Sequence, residues 1–349
     1  MTTVDVNVHW EPEYFYSDKT FFRECVRCIP RGYGEHLQLR DFPGIDAKQI
    51  VLSRPKGYEN LNWEPNDVDS NDRLNAMDKA KVDKAILRWP IFPEWLTLEL
   101  CKRANDNMYK TVREHPDRFY GLAIVPPWGD KDCLDELDRC VNKLGCVGVN
   151  IAAHYGTLYL DAEEFKPFFR QINDFAVPVV VHHTALPVDY GHVYDYTNLR
   201  RLFGRCIDQM TSVGRIMFSG MLDEFPNLKF VHSMMAGGLF AFVELITPKK
   251  STVPGDRERF NPAASAIVLD YLKKNIYCDI THSPTWGKSQ LKCAVEVLGA
   301  DHLLFGSSYP LRSEWLFKGV DYIKDLDISE KEKALILGEN AMTLFNIKK

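Results

Sequence analysis

Eight short, nearly continuous apolar runs punctuate the chain: Val4–Val8, Lys84–Leu87, Gly121–Val125, Val147–Ile151, Val177–Val181, Leu228–Val231, Ile276–Ile280 and Leu303–Phe305. Runs of this length, rich in Val, Ile and Leu, read as strands buried on both faces, as in a parallel sheet. Between them lie polar loops and longer stretches at helical period. Helix starts are marked by Asp69-Ser70 before a 72–81 helix and by Asp161 before 162–175. Eight strand–helix alternations predict an α/β fold, a (β/α)8 TIM barrel. A doubly wound sheet is the rival, but it calls for a glycine-rich phosphate loop after an early strand. Here Val4–His9 runs straight into Trp10-Glu11-Pro12. The barrel is the expected architecture.

The 349 residues suit one barrel domain over 1–349. Two segments exceed what a barrel needs: 10–68 after the first strand and 247–265 after the sixth. Segment 10–68 is dense in proline, glycine and aromatic side chains (Tyr14, Phe15, Tyr16, Phe21, Phe22, Tyr33, Tyr58, Trp63). Both segments read as lids or contact arms on the face where barrel active sites form.

Lys and Arg number 43 against 48 Asp and Glu, a net charge of −5. No basic excess exists to neutralise a phosphate backbone or an anionic membrane, so neither nucleic acid nor membrane is expected as a partner. The apolar runs are far too short to span a bilayer. The opening MTTVDVNVHW has no basic segment followed by an apolar one, so no signal peptide is visible and a soluble, cytoplasmic protein is expected. Nine cysteines in a chain of this length read as reduced core residues. Cys25-x-x-Cys28 with His36 is a separate case. Two thiolates and an imidazole within twelve residues could close three corners of a structural zinc site, or the thiols could simply pack under a loop.

In a barrel, chemistry sits at the carboxyl ends of the strands. Those ends offer Asn7 and His9, Asn150 and His154, His182 and His183, His232 and Met234, Asp279 and His282, and Ser307 and Ser308. A metal hydrolase places imidazoles and a carboxylate there, and His9 and His182 are candidates. A lone histidine at a strand end is, however, more often a hydrogen-bonded structural residue.

Five motifs in order resemble the amidohydrolase superfamily, in the branch of aminocarboxymuconate-semialdehyde decarboxylase and γ-resorcylate decarboxylase. They are D-V-N-V-H (Asp5 to His9), V-P-V-V-V-H ending at His182, F-P-N-L-K-F-V-H-S-M-M-A-G-G-L (Phe225 to Leu239), F-G-S-S-Y-P (Phe305 to Pro310) and G-E-N-A-M-T-L-F (Gly338 to Phe345). The resemblance runs nearly end to end. It implies a His or Glu at position 7, metal-binding histidines at 9 and 182, a catalytic histidine at 234 and an aspartate at 308. Only His9 and His182 match. Asn7, Met234 and Ser308 depart from the pattern, and His232 lies two residues before the expected strand-6 histidine, on the same face by strand period. An amide is a poor zinc ligand, and two imidazoles without a carboxylate hold a divalent ion weakly. A catalytic metal is therefore not expected, and zinc is expected only as a structural ion at Cys25, Cys28 and His36.

Three functions follow from these departures. The first is a supporting subunit paired with a homologous amidohydrolase-like subunit, or with a copy of itself. The resemblance includes two-subunit metal hydroxylases of small carboxylic acids built on this barrel. The second is a metal-independent lyase or hydrolase that uses His9, His182, His183 and Ser308 in new roles on a small carboxylate. The third is a zinc-dependent decarboxylase with shifted ligands.

Overall fold

Each of the eight apolar runs forms a strand of one parallel sheet in a computed structural model of the chain. The model describes residues 1–31, 37–53, 59–65, 69–90, 93–184, 193, 199–247, 268–281 and 283–348. The strands are β1 (Val4–His9), β2 (Lys84–Arg88), β3 (Phe119–Ile124), β4 (Gly148–Ala152), β5 (Val179–His182), β6 (Phe230–His232), β7 (Ile276–Asp279) and β8 (Leu303–Leu304). They neighbour one another in chain order, all parallel. The ring closes where β1 meets the segment leaving β8. Val6 N–H donates to Phe305 O at 2.9 Å, Ser308 N–H to Asn7 O at 2.8 Å and His9 N–H to Tyr309 O at 2.8 Å. This is the expected (β/α)8 barrel.

Side-chain alternation explains the strand composition. Val4, Val6, Ile86, Leu122, Val180, Val231 and Leu304 fill the barrel interior, and Ala85, Leu87, Val149, Val179, Val181 and Phe230 pack in a second cluster with the surrounding helices. Both faces are apolar, so the runs read as continuous. Fully burying such a side chain contributes about 1.5–3 kcal/mol. Ala341, Phe345 and Ile347 join the interior cluster from the carboxyl terminus. They close the barrel end nearest Thr2, whose carbonyl lies only 2.0 Å from where a Cβ at Gly338 would stand.

Segment 10–68 is more regular than its composition suggests. It holds a helix, Lys19–Cys28, and an antiparallel sheet of Leu37–Asp41, Lys48–Ser53 and Glu59–Trp63. Asp18 caps the helix, its carboxylate accepting the Thr20 and Phe21 N–H groups at 3.0 Å. The helix starts elsewhere split. Asp69 caps Ser70–Ala80 as expected, whereas Asp161 caps nothing and instead pairs with Arg215 at 2.7 Å. A 3-10 turn, Glu163–Phe165, precedes the helix Lys166–Phe175 there. Residues 248–267, most of the second excursion, lie outside the described residues. Among the described residues no helix is long and apolar enough to cross a membrane.

A candidate active site at the carboxyl ends of the strands

Asn7 anchors a buried polar cluster at the open end of the barrel. Its Nδ2 donates to Asp279 Oδ2 and to Thr281 Oγ1, each at 2.9 Å. The other Asp279 oxygen accepts Met234 N–H and Thr281 N–H at 3.1 Å, and also the Thr281 hydroxyl. Burial raises the Asp279 pKa, against these hydrogen bonds and the attraction of Arg88. The cluster rests on Gly306, just past β8. A Cβ there would meet Thr281 Oγ1 at 2.8 Å and Asn7 Cβ at 2.9 Å, so no larger residue fits without displacing both.

Two imidazoles face this cluster. The His9 and His182 rings stand edge to face with centroids 5.7 Å apart, and the His183 ring lies 3.9 Å from that of His182. His182 Nδ1 hydrogen-bonds the His183 carbonyl at 2.8 Å, which fixes it as the donor and leaves Nε2 as the acceptor. Both His182 and His183 are held well below the usual imidazole range, first by burial. Basic neighbours add to this: His183, Arg88, His9 and Arg205 at His182, and Arg205, Arg200 and Arg88 at His183. Both rings are neutral at pH 7. Ser308 joins the site through its backbone, with φ 59° and its N–H on Asn7 O.

The sequence reading missed Arg88. It ends β2 opposite His9 in the parallel register, on the inward face it shares with Ile86. It is fully buried, and its Nε, Nη1 and Nη2 have no hydrogen-bond partner among the described residues. Burial brings its pKa down to about 10, and Asp279 pulls the other way, so it stays protonated at neutral pH. The available signal was the alternation Ile86-x-Arg88, which turns an arginine inward. Asn150 stands two strands along. Its Nδ2 donates to Trp89 O at 2.7 Å, and its Oδ1 is buried without a partner among the described residues.

Other expected residues lie elsewhere. His232 does not share the inward face with Met234, because strand period ends at Ser233. Met234, Met235, Ala236, Gly237 and Gly238 form a left-handed run with φ of 55°, 49°, 49°, 71° and 95°. His232 turns outward near Phe230, and its Nδ1 bonds Gln209 Oε1 at 2.8 Å. Met234 contributes a backbone N–H where the motif has an imidazole. Gly237 tightens the run, since a Cβ there would lie 2.0 Å from Cys206 O. His154 is drawn out of the pocket as well: its Nε2 meets the Thr184 hydroxyl at 2.9 Å and Asp208 Oδ1 at 3.3 Å.

The Cys25–Cys28 pair lies on the helix Lys19–Cys28, not on an irregular loop. Cys25 is fully buried with Phe21 and Phe22, and burial raises both thiol pKa values. His36 and His282 lie outside the described residues. Of the aromatics of the first excursion, Phe15, Tyr16, Phe21, Phe22 and Trp63 are buried, Phe15 edge-on and Phe21 stacked against Trp89 with centroids 5.6 and 6.3 Å away, and Tyr33 and Tyr58 lie outside the described residues.

The amidohydrolase family model matches residues 4–347. The chain is 30% identical over 298 residues to γ-resorcylate decarboxylase of Rhizobium sp. (strain MTP-10005), covering 79% of this chain and 86% of that one. It is 26% identical over 334 residues to 2-amino-3-carboxymuconate-6-semialdehyde decarboxylase of Dictyostelium discoideum, covering 90% and 86%. A dihydroxybenzoic acid decarboxylase from Polaromonas sp. JS666, solved with bound manganese and 2-nitroresorcinol, superposes with a TM-score of 0.72 at 22% identity over 100% of this chain and 98% of that one. The donors here fit such an ion poorly. The matched strand ends supply two imidazoles and no free carboxylate, the Asn7 amide nitrogen is committed to Asp279, and the Arg88 guanidinium stands beside them. Among the described residues no three His, Cys, Asp or Glu side chains are grouped to hold a metal. Motifs, barrel and relatives agree that the chain belongs to the amidohydrolase family, in the branch of the γ-resorcylate and aminocarboxymuconate-semialdehyde decarboxylases.

Proposed function

We propose that the chain is a carbon–carbon lyase of the decarboxylase type, acting on a small carboxylic acid at the cluster of Asn7, His9, Arg88, His182, His183, Asp279 and Ser308. One observation carries the reading: a fully buried arginine, Arg88, stands among these side chains with no hydrogen-bond partner among the described residues. The charges of Arg88, Arg200 and Arg205 all reach the His182–His183 pair. The carboxylate acting on Arg88, Asp279, is already engaged by four donors. A buried positive charge so placed attracts an anion and repels a cation.

Decarboxylation keeps the bonding electrons on the organic fragment, releases CO2 and consumes one proton at the carbon left behind. Fixed positive charge stabilises an oxygen on which that negative charge accumulates. The neutral His182, with its Nε2 lone pair free of the His183 carbonyl, is placed to take a proton and relay it to that carbon. The first-strand histidine, His9, stands across from it to orient the substrate.

The test is CO2 release by the purified chain alone from a panel of hydroxylated benzoates, γ-resorcylate among them. Release is expected, with His182→Gln losing about 100-fold or more in kcat/KM, the usual scale for a proton-transfer group. Turnover only when a second, homologous subunit is added would replace this reading with the supporting-subunit one. No turnover under either condition by a folded chain would remove it.

A further inference from the structure

We infer that Arg88 is the fixed cation of this site. It docks the anionic oxygens of a hydroxylated small carboxylic acid, whose hydroxyl is received by the amide oxygens of Asn7 and Asn150, and it does so without a divalent ion. The inference rests on the site assigned above and adds the ligand class and the means of holding it.

Buried polar groups in native proteins have partners, and an isolated buried charge is the most costly exception. Arg88 has three such donor nitrogens, and Asn7 Oδ1 and Asn150 Oδ1 are buried acceptors in the same condition. All three side chains stand at the carboxyl ends of β1, β2 and β4. The amide orientations are set, because Asn7 Nδ2 is held by Asp279 and Thr281 and Asn150 Nδ2 by the Trp89 carbonyl. Each amide therefore presents its oxygen. Asp279, the carboxylate acting on Arg88, is already engaged with Asn7, Met234 and Thr281. A planar, charged fork with no partner of its own is the group that matches a carboxylate or phenolate. A cation placed there would meet the guanidinium head on. Paired donor and acceptor sites in one pocket select a ligand that carries both an anionic oxygen and a hydroxyl.

Isothermal titration of chelator-treated protein tests this with three probes: 2-hydroxybenzoate, benzoate and phenol. The expected order is 2-hydroxybenzoate tighter than benzoate by several-fold, with phenol not detectably bound. Arg88→Met should weaken both acids at least tenfold. It should also melt at the same temperature as the wild type or higher, since it exchanges an unsatisfied buried charge for an apolar side chain. Arg88→Lys, which keeps the charge without the fork, should fall between the two and serves as the variant if Arg88→Met does not fold. Equal binding to wild type and Arg88→Met, or binding that appears only with added manganese, would overturn the inference. The two proposals separate cleanly. Arg88-dependent binding without CO2 release would sink the lyase and leave this site standing. Undiminished CO2 release by Arg88→Met would do the reverse.

Discussion

Asp5 shows how one side chain ties the barrel seam to pH. It is fully buried and accepts the Asn7 and Ser307 N–H groups at 3.0 Å each, joining β1 to the segment after β8. Burial pushes its pKa up to about 6, against the hydrogen bonds from Ser307 and Asn7 and with a small push from Asp279. A folded-state pKa above the unfolded one means the fold favours the protonated acid. That stabilisation is complete below about pH 4 and is lost as pH rises through about 6. At ~1.4 kcal/mol per tenfold change in the acid constant, the loss is on the order of 3 kcal/mol. Thermal melts across pH 4–7 should show the wild type falling relative to Asp5→Asn, and parallel curves would refute the assignment. At this scale the sequence revealed what side chains advertise. Asn7, His9 and His182 were legible because each stands at a strand end within a recognisable motif. In β1 it is the register shift between Asp5 and Val8, not plain alternation from Val4 and Val6, that brings Asn7 and His9 to the site. Arg88 was not, because an arginine at the end of an apolar run looks like the boundary of the strand. Met234 was read by its side chain, whereas its backbone N–H is what reaches Asp279.

Among the elements, the helix Lys19–Cys28 was hidden behind proline and glycine on either side. Its signals were present: Asp18 as a cap, then Phe21, Phe22 and Cys25 at the spacing of one buried helix face. The glycines and prolines fall outside those ten residues, and composition averaged over sixty positions cannot resolve that. The helix makes the two cysteines unequal. Cys25 is buried against aromatic side chains and Cys28 is half-buried. Cys25→Ser places a hydroxyl in an apolar site and should cost about 1–3 kcal/mol, while Cys28→Ser should stay within about 0.5 kcal/mol. Urea denaturation with metal analysis decides between packing and a zinc clip. A clip demands equal losses from both variants and zinc released with either. The barrel strands themselves were legible throughout, since both faces of each are apolar and the periodic signal survives any loop.

The molecule as a whole divides its labour along the barrel axis. Valine, isoleucine and leucine side chains fill the interior, the carboxyl-terminal Phe345 and Ile347 seal the end near Thr2, and the polar cluster opens at the other. Stability and binding should therefore separate under mutation. Phe345 is 2% exposed, and Phe345→Ala leaves a cavity whose cost is about 3–5 kcal/mol. It lies at the end of the barrel away from Arg88, so the folded fraction should bind 2-hydroxybenzoate as the wild type does. Gly306→Ala presents the opposite case. The added methyl must displace Thr281 Oγ1 or the Asn7 side chain, which disturbs the Asn7–Asp279 pair and the amide oxygen beside Arg88. Overpacking of this kind costs about 1–3 kcal/mol, less than the cavity, yet binding should weaken at least tenfold. Denaturant melts and titration of 2-hydroxybenzoate on both variants give the two readouts. Binding lost in Phe345→Ala, or retained in Gly306→Ala at equal folding, would show that the two ends of the barrel are not independent.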